Sequence, residues 1–95
     1  MTKYMYDYFT KCVKDIKNLI PKNWENVSYS NDTCPSYEVK GLQIFIDNPN
    51  PKEREYQESD SKRFYIIKAK NYGMGYKPLL ETDNFFEVLE FVNDN

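Results

Sequence analysis

At 95 residues, with 40% hydrophobic and 17% aromatic side chains, the chain has material for a single domain, 1–95, with one modest core built from two packed layers. A formal charge of -2 gives nucleic acid no general attraction, since such binding draws most of its affinity from neutralised phosphates; the hydrophobic fraction argues against wholesale disorder. No apolar run approaches the roughly 18 residues that span a bilayer, and Lys3, Asp7, Lys11 and Lys14 interrupt the N-terminal region where a signal segment would be continuously apolar, so the chain reads as cytoplasmic with no membrane association.

Met5, Phe9, Cys12, Val13, Ile16, Leu19 and Ile20 keep one stripe of a helix apolar and predict an α-helix with Thr2 as N-cap, stopped by Pro21. After Pro21 the apolar period becomes two. Trp24, Val27 and Tyr29 form one strand, and a loop of Ser30 to Ser36 precedes a second containing Tyr37 and Val39. Gly41 leads into the third, Leu42 to Ile46, in which Leu42, Ile44 and Ile46 face the helices while Gln43 and Phe45 face away. The fourth, Phe64 to Ala69, splits the same way, leaving a second face with aromatic residues that is semi-exposed or covered by a partner. Gly73 and Gly75 supply a turn, and Tyr76 to Glu81 returns as an edge strand marked by Pro78. Thr82 or Asp83 caps a last helix built on Phe85, Val88, Leu89 and Val92. The predicted class is α+β: an antiparallel sheet of three to five strands with an N-terminal and a C-terminal helix packed on one face.

Charge is unevenly spread. Residues 1–24 carry five Lys against Asp7 and Asp15, a balance of +3, whereas residues 25–60 carry eight acids against Lys40, Lys52 and Arg54, a balance of -5; residues 61–95 carry five of each sign. A basic helix and an acidic middle follow.

Site chemistry is sparse. The absence of histidine removes the commonest general base, the serine and cysteine triads and almost every zinc arrangement. Cys12 and Cys34 make neither a metal-binding pattern nor a disulfide framework, and read as reduced thiols. Asn26-Val27-Ser28 and Asn31-Asp32-Thr33 match a glycosylation pattern that has meaning only in a secreted chain. Gly73-Met74-Gly75 is too short to cradle phosphate. Asp32, Glu38, Asp47 and Glu53 could converge at one end of the sheet, but acid-base work needs a cleft and a raised pKa as well. No enzyme activity, cofactor or metal is expected.

The most informative segment is the long, charged connection from Asp47 to Lys62 between the third and fourth strands. Loops of that length are often functional. The alternatives are a solvated tip, a short helical turn after Pro51, or a protruding acidic arm in which Asp47, Glu53, Glu55, Glu58 and Asp60 meet Arg or Lys on a partner while Tyr56 anchors in it. Nine tyrosines suit an interface, although some, Tyr4 and Tyr8 among them, border the core. The aromatics near Lys68 and Lys70 offer a nucleic-acid surface, but Arg63-Phe64-Tyr65-Ile66-Ile67 lacks the glycine-aromatic order of sheet-surface RNA binders.

In size, in its richness in Lys, Asn, Tyr and Asp, and in its lack of catalytic residues, the whole chain resembles the small acidic accessory proteins of bacteriophages and mobile elements, anti-CRISPR inhibitors among them. That resemblance rests on size and composition, without a shared motif. It implies a stoichiometric blocker in a bacterial host cell that occupies the basic, nucleic-acid-receiving groove of a CRISPR effector or other defence nuclease. Two further readings are an immunity protein neutralising a toxin and a small nucleic-acid-binding accessory protein. The edge strand near Pro78 makes a homodimer a further expectation.

Overall fold

The sheet grows outward from a two-residue turn. Lys40 and Gly41 both take left-handed backbone conformations, φ +53° and +74°, the combination whose twist matches that of paired strands. They join β2 (Ser36–Val39) to β3 (Leu42–Ile46). β4 (Phe64–Lys68) pairs with β3, setting Ile44 opposite Ile66 and Phe45 opposite Tyr65. β1 (Glu25–Asn26) and β5 (Leu80–Thr82) form the edges of a sheet ordered β1-β2-β3-β4-β5, antiparallel throughout. With α1 (Lys3–Val13) and α2 (Phe85–Asn93), this is the predicted α+β class at its upper strand count. The computed structural model describes residues 3–28, 34–54, 62–71 and 77–95, with side chains for all of these except 3–7 and 71.

Strand alternation divides the interior into two clusters. On one face Val39, Leu42, Ile44, Ile46, Phe64 and Ile66 are closed over by Phe85, Val88 and Val92 of α2, with Trp24 and Ile16 filling the side. Trp24 sits edge-on to Phe85 at 5.9 Å and tilted against Tyr37 at 6.4 Å. Each large side chain sequestered here contributes about 1.5–3 kcal/mol relative to exposure. On the other face Phe45 joins Cys12 and Cys34, with Tyr8, Tyr65 and Ile67 packed around them. Phe45 and Tyr65 stack at 4.6 Å with an 8° interplanar angle. The expectation of a semi-exposed aromatic face therefore fits Tyr65 and Ile67, which are half-buried, but not Phe45, which is 5% exposed. The reason is that α1 serves both clusters: Val13 packs on the first, Cys12 and Tyr8 on the second, so the two helices are not both confined to one face of the sheet as expected.

The sequence period suggests a helix unbroken to Pro21, yet α1 ends at Val13. The Ile16 and Leu19 amides bond three residues back, to Val13 and Ile16 carbonyls at 3.0 and 2.8 Å, so the segment tightens into a 3-10 turn over Lys17–Leu19. An outside donor takes the Cys12 carbonyl instead, as described below. α2 is capped by Asn84, one residue beyond the expected Thr82 or Asp83: its Oδ1 accepts from the Phe86 amide at 2.9 Å. Thr82 accepts in turn from the Asn84 amide, at 3.0 Å. Several expectations lie outside the described residues: the Thr2 cap, Tyr29 and most of the Ser30 to Ser36 loop, Asp32, the Gly73 and Gly75 turn and Tyr76.

Candidate functional site

The connection between β3 and β4 begins from a built stem. At its base the Asp47 amide donates to the Arg63 carbonyl at 2.8 Å, and Arg63 Nε returns a bond to the Asp47 carbonyl at 2.9 Å. The rest of the Arg63 guanidinium points at α1. Nη1 and Nη2 grip the two carboxylate oxygens of Asp15 at 2.8 and 2.5 Å, and Nη2 also donates to the Cys12 carbonyl at 2.7 Å. One planar fork thus satisfies an orphan carbonyl at the helix end, the stem and a carboxylate. The guanidinium lies 4.8 Å from the Phe64 ring centroid. Arg63 is 7% exposed and holds the Asp15 carboxyl below the usual carboxylate range by hydrogen bonding.

Above the base the loop folds back on itself. Asn48 is buried and its side chain accepts from the Asn50 amide at 2.9 Å; the Asn50 side chain accepts from Lys52 at 3.1 Å. Pro51 then starts a 3-10 turn, Pro51–Glu53, the helical turn considered from the sequence. Arg54, 4% exposed, closes the loop by donating from Nε to the Asn48 carbonyl at 2.8 Å. Tyr8 ties this unit to α1: its hydroxyl donates to Asp47 Oδ1 at 3.0 Å and reaches the Glu53 carbonyl at 3.5 Å. Burial, reinforced by the Asp47 charge, raises the Tyr8 pKa above the usual phenol range. The same two causes push the Cys12 thiol up to about 12.

Of the six residues read from the sequence as partner-binding, two fall within this unit. Asp47 is half-buried, its carboxylate engaged by Tyr8 and by the Asn48 amide at 2.7 Å. Glu53 is exposed at the end of the 3-10 turn. Glu55, Tyr56, Glu58 and Asp60 lie outside the described residues. The aromatic and lysine platform suggested for nucleic acid does not form on β4: alternation sends Lys68 to the face opposite Tyr65 and Ile67, and the aromatic on its own face, Phe64, is buried.

The two arginines that build this unit, Arg54 and Arg63, are not singled out by the acidic pattern. They are the only ones among 13 basic residues and they bracket the loop, which is the available signal, because guanidinium suits buried, forked hydrogen bonding and lysine does not. Nor does the charge balance single out the acids of α2. Pooling residues 61–95 gives neutrality, but the five cations all precede Pro78, and Glu81, Asp83, Glu87, Glu90 and Asp94 all follow it.

No family model, curated protein or solved structure matches this chain. Among the described residues no helix is long and apolar enough to cross a membrane.

Proposed function

We propose that this chain is a non-catalytic protein-binding inhibitor that uses its acidic middle region on a partner with a basic surface. The partner class that fits is a bacterial defence nuclease, such as a CRISPR effector, whose nucleic-acid-binding groove the acidic stem and loop would occupy in place of phosphates. The observation that carries this reading is the inward placement of both arginines. Arg54 and Arg63 are buried while Glu53 is exposed, so two of the segment's positive charges are withdrawn from the surface that a basic partner would meet. A prefolded base also lowers the ordering cost of binding, and complementary charge speeds encounter with a basic surface.

The test is a tagged pulldown from a bacterial lysate containing phage-defence nucleases, with the E53Q/E55Q/E58Q/D60N variant alongside. A stoichiometric basic protein, captured by the wild type and lost from the variant, is the expected result. Capture that survives neutralisation, or recovery of nucleic acid alone, would refute it.

A further inference from the structure

We propose that this chain self-associates by a second contact, in which the acidic outer face of α2 from one copy seats against a lysine-rimmed groove beside α1 of another. The proposal is independent of the inhibitor reading, because neither half includes the acidic residues of the β3–β4 connection.

The first half is α2. Its inner residues Phe85, Val88 and Val92 are buried, but Phe86 is 65% exposed, the most exposed large apolar side chain among the described residues. Around it on the outer surface stand Glu87, Glu90 and Asp94, all exposed, and Asp83 precedes the helix. Two cations beside this helix are already engaged. Lys62 lies 3.6 Å from Asp83, and Lys40 donates to the Val92 and Asn95 carbonyls at the helix end, at 3.1 Å each. A large exposed aromatic ringed by carboxylates has the composition of an interface anchor.

The second half is its complement. A groove of about 620 Å³ runs along α1, floored by Val13, Thr10 and Tyr37 and rimmed by Lys11, Lys14 and Lys17. An adjoining hollow of about 310 Å³ continues it past Phe9 and Pro35 to the polar Asn26 and Ser28. Asp15, the acid within this run of lysines, is clasped by Arg63 and so does not offset them. The groove offers an apolar seat for an aromatic ring and three ammonium groups for the carboxylates around it.

The two halves lie on the same side of the sheet. Tyr37 shares a face with Ile44 and Ile66, the face that α2 covers, and Trp24 touches both Tyr37 and Phe85. A twofold axis over this face brings each α2 to the other copy's groove, making the contact twice.

Sedimentation velocity on the full chain tests this with three proteins: wild type, K11E/K14E/K17E and E87K/E90K. The wild type should dimerise in 50 mM salt and weaken at least about tenfold in 500 mM, as screening of exposed charges requires. Each variant alone opposes like charges at both contacts and should be monomeric. Their equimolar mixture restores opposite charges at both contacts and should form a heterodimer. An F86S variant should also lose self-association while keeping its circular dichroism. A wild type that stays monomeric at low salt, or variants that dimerise as well as the wild type, would overturn the proposal; so would a mixture in which both remain monomers.

Discussion

Arg63 joins parts of the chain separated by 51 positions, from the stem to the last turn of α1. Replacing it with Met leaves the Cys12 and Asp47 carbonyls without their donor, and should cost about 3 kcal/mol in urea denaturation. R63K should recover only part, because an ammonium cannot bond three groups in one plane. D15N should cost less than about 1 kcal/mol, since the Asp15 side chain is half exposed and solvent screens the pair. The pH dependence follows in sign. Asp15 has a folded pKa below its unfolded one, so its contribution is present above about pH 4 and is lost as pH falls through the folded value. D15N should flatten that acid limb. Cys12 and Tyr8 behave oppositely: their folded values are raised, so stability is intact below the unfolded values and falls at higher pH. The loss should begin above about pH 8.5 for Cys12 and about pH 10 for Tyr8. Thermal melts of wild type and Y8F from pH 7 to 11 check this, with Y8F showing the shallower decline above pH 10. Cys12 and Cys34 are both fully buried thiols, so an aromatic disulfide reagent should label them at least about a thousandfold more slowly in the native protein than in urea.

At the scale of elements, two short devices set the architecture. Gly41 lies at φ +74° with open space where a Cβ would sit, so G41A is opposed by backbone strain alone and should cost about 1 kcal/mol. N84A removes the α2 cap and should cost about the same; urea midpoints at constant slope measure both. Strands were legible in the sequence where side chains alternate over a complete element, as in Leu42 to Ile46. The end of α1 was not, because Ile16 keeps the helical period while the donor that takes the Cys12 carbonyl there, Arg63, comes from 51 positions away. The register of β5 is also a product of tertiary pairing: Leu80 lies opposite Ile66, and the Leu79 amide donates to the Ile66 carbonyl at 2.7 Å. Asp47 shows the limit for the candidate site. Its charge is visible in the sequence, but its capture by Tyr8, 39 positions earlier, is a product of packing.

For the whole molecule, the distribution of charge matters more than its sum. A net charge of -2 conceals lysines along α1, carboxylates on α2, and a β3–β4 stem whose arginines are turned inward. Such polarity favours contacts of high charge complementarity, which set association rate and specificity more than raw affinity. The inhibitor reading requires that the stem and loop compete with phosphates for one groove. Displacement tests this most directly: a labelled oligonucleotide is bound to the captured partner and followed by fluorescence anisotropy as the chain is added. The account predicts release at near-equimolar wild type, and none with E53Q/E55Q/E58Q/D60N at the same concentration. An oligonucleotide that stays bound while the wild type is also bound would contradict it.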